Sequence, residues 1–571
     1  MEALPITVGI VGHREIAASD FDRVREQIRE ILISYRLQAP STPILLLTAM
    51  AEGADQIAAE VGLGIEGVLV VAVLPMLSSE YEKDFNGEEK IATYRHLLDR
   101  SFAVIQACDF YGQIGGAESR KNSRHDTDES RTARDEAYRD CGRFISQQSH
   151  LLIAVWDGEL SSLDVGTSDT VSHRLNASKS ITTRNEIDHL WPQENGALLH
   201  ILTKRNDVGV TKGSRLNNSG TNEISALTEN FESRSWGMEE RDDVVDKFEL
   251  LNTLITSQRE SSDPPPSLTT RMLNVIDTEA TRLQRRFKLQ VSSLLALGVL
   301  SLFMVDLQHD LSSTYPFFAT LLVLVVTAYI WFRFVKGTAK DRFYQFRALA
   351  EGLRVQSVFM DCGIDQDASN QYLRGIPDVR WIPRTMRTSR LVDIIQRGTS
   401  SGDGHPSAEN TALSANRWVE SQVRYFAGTS EAKGAVVESR EKYELFEKIS
   451  LTGVGIALIG LLLDGWRLLP GVSPLMEGVI RGEQLTLHLS LSISAASAAY
   501  SQLMAYREIE RQYEISSHIF KQGLELLASV RALDAPEGEH VQSVVTQIGR
   551  EALQETGTWL TLKRDRAIHP M

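Results

Sequence analysis

The stretch Tyr315 to Val335, YPFFATLLVLVVTAYIWFRFV, carries one charge, Arg333, in its last turn. About 20 apolar residues is the length a helix needs to cross the hydrocarbon of a bilayer, and within a single segment only a helix satisfies its own backbone there. Leu289 to Val305 is a second apolar run, near the lower limit of spanning length. Between the two, DLQHDLSST holds neither Lys nor Arg, whereas Arg282, Arg285, Arg286 and Lys288 precede the pair and Lys336, Lys340 and Arg342 follow it. Positive charge on both outer flanks predicts a membrane hairpin with both ends cytoplasmic.

A second pair of apolar runs follows. Ile449 to Leu463, ISLTGVGIALIGLLL, is short and runs into Asp464-Gly465-Trp466-Arg467, which places Trp466 at an interface. Leu485 to Ala505 is a fourth run, closed by Tyr506-Arg507, so four transmembrane helices are expected in all. In that run Ser490, Ser494, Ser497 and Ser501 recur at i, i+4, i+7 and i+11, on one helical face. Such a face either packs closely against a neighbouring helix, since small residues let helices approach, or lines a polar pore in an oligomer.

Outside these runs the chain is polar, and its mean hydropathy is −0.17. Its 571 residues correspond to roughly two to four domains at about 150 residues each. A net charge of −15 argues against a nucleic-acid partner held by its phosphate backbone, which needs a basic face. Cys108, Cys141 and Cys362 are scattered without metal-ligand or disulfide spacing, so no metal is expected and a reducing compartment fits. MEALPITVGIVGHRE lacks a basic n-region and a cleavage site, which predicts no secretory signal.

The amino-terminal part alternates strands and helices. Ile6 to Val11 reads as a strand running into Gly12-His13-Arg14-Glu15, and Asp20 to Tyr35 as a helix with Phe21, Val24, Ile28 and Leu32 on one face. Ile44 to Leu47 is a second strand, followed by TAMAEGAD and a helix through Glu60. Gly67 to Leu74 and Phe102 to Gln106 are further strands, a helix spans Thr132 to Gln147, and Ala197 to Leu202 is the last strand. Leu151 to Trp156, LLIAVW, reads as a strand buried on both faces, and it breaks into Asp157-Gly158 and then Gly166-Thr167. Strands alternating with helices predict an α/β, Rossmann-like, doubly wound parallel sheet, whose ligand sits beyond the carboxyl ends of the strands.

That rule selects the binding residues. Gly12, Gly53 and Gly166 would let the backbone approach phosphate oxygens, with Thr167 opening the following helix. His13 and Arg14 would reach phosphate or base, Glu52 and Asp55 would take ribose hydroxyls, and Asp157-Gly158 would shape the strand end. Alternatively Arg14 and Glu15 form a solvated pair and Asp55 is a helix cap.

Gly12-His13-Arg14, TAMAEGAD and AYRDCGRFISQQSHLLIAVWDG leading to Gly166-Thr167, taken in order, resemble the SLOG domains, Rossmann-like nucleotide sensors related to the LOG phosphoribohydrolases. The resemblance covers the first 205 residues or so. It implies a bacterial, membrane-associated role in antiviral defence and a nucleotide-derived ligand, a second messenger or an ADP-ribose type, with no other cofactor. The enzymes of that group carry PGGxGTxxE, whereas Leu163-Asp164-Val165-Gly166-Thr167-Ser168-Asp169-Thr170 keeps Gly-Thr and has Thr170 at the glutamate position. Binding without catalysis is therefore expected. RALAEGLRVQ, the second hairpin and EALQETGTWL are similar to SLATT-type transmembrane effectors joined to such sensors.

The expected organisation is a nucleotide-binding domain over 1–205, a linker over 206–268 rich in Asn, Ser, Gly and Pro, and a first hairpin with helical extensions over 269–356. A cytosolic helical region over 357–445, a second hairpin over 446–507 and cytosolic helices over 508–571 complete it. The functional expectation is a homo-oligomeric, multi-pass sensor in the bacterial inner membrane, both termini cytoplasmic, in which nucleotide binding opens or disrupts the bilayer. The alternatives are a membrane-tethered nucleotide hydrolase using Asp157, Asp164 or Asp169 as acid, and a non-enzymatic scaffold.

Overall fold

The structure, a computed structural model, describes residues 1–107, 128–159, 166–175, 196–204, 224–227, 233–236, 243–257, 267–310, 315–336, 339–374, 376–398, 406–467, 477–531 and 538–565. The strands are β1 (Ile6–Gly12), β2 (Ile44–Thr48), β3 (Val68–Leu74), β4 (Ala103–Gln106), β5 (Leu151–Trp156), β6 (Ala197–Leu202), β7 (Ile224–Leu227) and β8 (Ser233–Ser235). Helices α1 (Phe21–Gln38), α2 (Ala54–Leu63), α3 (Glu88–Arg100), α4 (Asp128–Gln148), α5 (Thr167–Leu175) and α6 (Asp243–Ser257) accompany them. Next come α7 (Leu268–Asp310), α8 (Tyr315–Lys336), α9 (Ala339–Asp361), α10 (Trp381–Gly398) and α11 (Ala408–Ala427). The chain closes with α12 (Ala435–Arg467), α13 (Glu477–Met504), α14 (Tyr506–Arg531) and α15 (Gly538–Asp565). Two compact units result, one from Met1–Val275 with Glu351–Pro406, the other from Ile276–Ala350 with Ser407–Met571.

In the first unit the sheet order is β4-β3-β2-β1-β5-β6-β7-β8. The first six strands are parallel, as Ile6 against Ile44 and Val8 against Leu151 show, while β7 and β8 pair antiparallel. Both faces of the central strands are buried, which is why they read as continuous apolar runs. Helix α2 lies on one face, where a Cβ on Gly62 would stand 2.7 Å from the Leu46 side chain. On the other face Val11, Leu47, Val73 and Trp156 share a core with Cys141 and Phe144 of α4 and Val171 of α5. Helices on both faces make this a Rossmann-like arrangement, and the sheet is the mostly parallel one expected, with an antiparallel edge of β7 and β8 added. Along α1 the buried stripe is Val24, Ile28, Ile31, Leu32 and Tyr35, whereas Phe21 is exposed.

Two expected boundaries are corrected. Residues 206–268 do more than link, since they supply β7, β8 and α6. Phe248 and Leu251 of α6 are fully buried, and Asn252 Nδ2 donates to Leu4 O at 2.9 Å while its Oδ1 accepts from Leu4 N at 2.8 Å. The polar composition belongs to an edge of the sheet, where short strands are the rule. The region 357–445 is divided, because Leu391 and Ile395 of α10 complete the core around Val71 and Trp156. Residues from Ser407 onward belong to the helical unit.

At the end of the sheet opposite the strands' carboxyl edge, the buried Arg174 fastens β5 to β6. It donates to Ser149 O at 3.0 Å, His150 O at 3.1 Å, Ala197 O at 3.2 Å and also to Ser146 O. Burial, with Arg384 and Arg387 nearby, lowers its pKa to about 9, so it stays charged at neutral pH.

In the helical unit and the helices that enter it, three segments among the described residues are long and apolar enough to cross a membrane: Leu268–Leu307, Phe317–Phe334 and Ala435–Leu463. The expected fourth, Leu485 to Ala505, forms most of α13 but is not one of them. Ser490, Ser492, Ser494, Ser497, Ser501 and His488 dilute its apolar content. Those serines serve contact with α12. Ser494 Oγ donates to Ser450 O at 2.7 Å and Ser497 Oγ to Phe446 O at 2.8 Å. Ser490 is buried beside Gly453, where an added Cβ would lie 2.6 Å from the Ser490 carbonyl, and Ser501 is half-buried. The partners run 446 with 497 and 450 with 494, so α13 returns antiparallel along α12. Phe287, Val291, Met504 and Tyr506, with Phe334, Phe446 and Tyr500 against them, close a further core.

Gly453→Val should separate α12 from α13, because the new atoms meet backbone. Overpacking of this kind costs about 1–3 kcal/mol, read as a lower thermal midpoint of the detergent-solubilised protein than for a Gly455→Ala control, which has open space.

Candidate functional site

Strand order reverses beside β1: β2, β3 and β4 lie to one side, β5 and β6 to the other. Loops leaving the carboxyl ends of β1 and β5 therefore diverge, and the crevice they open is where open α/β sheets take ligands. Nine of the ten predicted binding residues stand on the loops or helix starts along that carboxyl edge, and the tenth, Gly12, is the last residue of β1. His13 and Arg14 follow β1, Glu52, Gly53 and Asp55 stand between β2 and α2, Asp157 and Gly158 follow β5, and Gly166 and Thr167 open α5. Asp164, with Leu163 and Val165, lies outside the described residues, as does Cys108.

The β1 and β5 loops are tied together. His13 N donates to Val155 O at 3.0 Å, and His13 Nε2 accepts from Asp157 N at 3.1 Å while lying 3.3 Å from Asp157 Oδ1. The first of these Nε2 contacts needs a lone pair on that nitrogen and the second an N–H there, so the tautomer decides which is made. Asp157 Oδ1 also accepts from Glu159 N at 3.0 Å, which turns the chain out of the strand. Burial pushes the Asp157 carboxyl up, but the His13 contact and the Glu159 N–H together hold it below the usual carboxylate range.

The glycines divide by what lies beside them. Gly53, at φ +81°, has the His13 and Arg14 carbonyls 2.4 Å from where a Cβ would be, and a Cβ on Gly12 would meet Ala54 at 2.3 Å. Both are used to bring α2 against β1, so close approach to a phosphate is not what requires them. Gly166, at φ +104°, has no described residue within 4 Å of where a Cβ would be. It precedes the first turn of α5, whose amide groups point outward from the helix start. Thr170, at the position of the missing glutamate, is buried, and its Oγ1 donates back to Gly166 O at 3.2 Å. Glu52 is paired with Lys90 of α3, away from the ribose role expected of it.

Asp55 is neither an exposed ribose ligand nor the cap of α2, a position Gly53 holds. It is 5% exposed, and its Oδ2 accepts from Ala51 N at 3.3 Å. Among the described residues its Oδ1 has no hydrogen-bond partner. Burial raises the carboxyl to about 7, against the opposing pull of the Ala51 N–H and of Arg14. The preceding loop is held in an unusual shape, with Met50 at φ +59° and Met50 N donating to Thr48 Oγ1 at 3.2 Å.

Sequence reasoning missed the aromatic wall beside these groups. Tyr81, after β3, packs against Phe85 at 5.4 Å, Tyr94 at 5.7 Å and Tyr138 of α4 at 6.0 Å between ring centres. The Arg14 guanidinium lies 5.2 Å from the Tyr138 ring centre. Arg134, one turn before Tyr138, pairs with Asp84. A signal was present, because every loop after a parallel strand faces the same edge, SSEYEKDF after β3 included.

Among the described residues no three His, Cys, Asp or Glu side chains cluster to hold a metal. No protein-family model matches the chain, and no curated protein matches it at significance.

The folded pKa of Asp55 lies above the ordinary unfolded value, so the stability it allows is complete below about pH 4 and lost as pH rises through about 7. Asp55→Asn removes that loss. In thermal unfolding of the whole protein the variant should match the parent near pH 4 and exceed it at pH 8, by up to about 4 kcal/mol; equal pH profiles would contradict the burial of an ionisable Asp55.

Proposed function

We propose that this chain is a membrane-anchored nucleotide sensor, acting in bacterial antiviral defence, in which a nucleotide-derived ligand in the β1–β5 crevice biases the membrane helices toward permeabilisation. The observation that carries this reading is the placement of the predicted binding residues at one strand-order reversal, next to a buried carboxyl and an open helix start. The three apolar segments supply the membrane part. The basic residues flanking α7 and α8 support a cytoplasmic position for both outer ends of that pair, and the antiparallel course of α13 along α12 supports the same for the carboxyl terminus. A pore or a lesion needs several copies, because one chain of this kind encloses little on its own. Ligand binding acts only through unequal affinity for two states, so the crevice must differ between them.

Asp157 supports binding over hydrolysis, since a carboxyl held below its usual range does not carry the proton a leaving group needs. One observation favours the hydrolase as the second reading: Asp55 titrates near neutral pH, as a general acid or base does.

The full-length protein in lipid nanodiscs should bind one member of a panel of cyclic oligonucleotides, ADP-ribose derivatives and mononucleotides by calorimetry, and the compound should be recovered with unchanged mass. Gly166→Val forces a branched side chain into left-handed backbone, and should weaken binding about tenfold or more. The same compound should release dye from liposomes containing the protein. No binding across the panel overturns the sensor, and recovery of a free base establishes the hydrolase.

A further inference from the structure

Packing does not account for Asp55. Its side chain is almost wholly buried, one oxygen is committed to Ala51 N–H, and among the described residues the other has no partner. Buried polar atoms are nearly always satisfied, and an exception calls for an explanation at that site. Arg14 and Tyr81 lie within electrostatic reach of the carboxyl. Tyr138, whose ring contacts both, has its phenol oxygen buried and, among the described residues, without a hydrogen-bond partner. A lone acceptor and a second polar atom thus stand near an aromatic cluster in which Tyr81, Phe85 and Tyr94 are buried and Tyr138 is half-buried at its margin.

Two parts of a nucleotide offer donors to a carboxylate. A ribose diol is taken by two oxygens together, and Asp55 has one to give. An amino group on a base needs one acceptor, and the planar ring that carries it suits an aromatic wall. Above about pH 7, where the carboxyl is charged, it repels phosphate from this spot.

We propose that Asp55 Oδ1 accepts an N–H from the exocyclic amino group of a nucleobase lying beside Tyr81 and Tyr138, so that the protein selects amino-bearing bases over hypoxanthine and uracil. This rests on reading the crevice as a nucleotide site. Tyr138 would serve the neighbouring ring nitrogen, and Arg14, lying on the Tyr138 ring, would cover the base.

The test needs no variant at first. The full-length protein in nanodiscs is titrated with matched pairs: AMP and purine riboside 5′-monophosphate, GMP and IMP, CMP and UMP, ADP-ribose and its hypoxanthine analogue. Within the pair that binds, loss of the amino group should weaken binding about 10- to 100-fold, the range for one hydrogen bond to a charged group. A 2′,3′-dideoxy version of the tighter member should lose much less. Asp55→Asn should bring the two members of the pair within about threefold of each other. Equal binding within the pair, or preference for the member without the amino group, overturns the inference and leaves the nucleotide site standing. A large loss with the dideoxy compound alone assigns Asp55 to the ribose and also overturns it. No binding by any pair also overturns the inference, and the cyclic oligonucleotides of the wider panel then decide whether the nucleotide site itself stands.

Discussion

Everything at the crevice depends on the pairing of β1 with β5. The register Gly9 with Leu152 and Gly12 with Val155 brings two strand ends to the same height although some 140 residues separate them in sequence. Parallel strands cannot be joined by a tight turn, so each loop at that edge must lead into a helix. Because the chain proceeds to β2 on one side and returns to β5 on the other, the two loops part and leave backbone amides facing a gap. His13 then spans the gap from below, bound to Val155 and Asp157. Gly12 and Gly53 let α2 close against this pair, and Arg174 holds the far end of β5 and β6 so that the near end has a fixed base.

The helical unit obeys a different constraint. Apolar solvent gives no advantage to burying one apolar helix against another, so contact there comes from close backbone approach and hydroxyl bonds. The α12–α13 interface shows this balance. Gly453 and Ser490 permit the approach, and Ser494 and Ser497 donate to carbonyls of the facing helix. On their lipid-accessible sides α8 and α12 carry exposed leucines such as Leu322 and Leu462, whereas α13 spends its small polar residues inward.

The β strands of the parallel sheet were legible because burial on both faces leaves an unmistakable apolar run; LLIAVW and ILLL need no context. The short edge strands were not. ISAL and SRS sit in polar sequence, pair antiparallel at the margin, and take their meaning from β6 alone. Nor does local pattern reveal that Leu391 and Ile395 fill a core some 240 residues upstream. For the candidate site, the alternation of strands and helices placed the loops after β1, β2 and β5 along one edge, where the structure has them, but residue type did not tell what each side chain touches. A glycine in a loop announces close approach but not what approaches, and at Gly53 it is the chain's own backbone. Asp55 reads as a ribose ligand or a helix cap, and only the fold shows a carboxyl enclosed within electrostatic reach of Tyr81. The serine stripe was read correctly as one face, while its dilution of apolar character took α13 out of the set of self-sufficient spans.

The first unit is not contiguous in the chain: it is left at Val275 and resumed at Glu351. During synthesis the sheet emerges first, at about 5–20 residues per second, while the apolar surface that awaits α10 stays open. Helices α7 and α8 are complete in the chain before Leu391 and Ile395 have been made, so the crevice-bearing unit closes its core only after both have been synthesised. A cut placed anywhere between the two stretches leaves the core around Val71 and Trp156 without Leu391 and Ile395, so the sheet-bearing unit ends at Pro406 and reaches there only by way of α7 and α8.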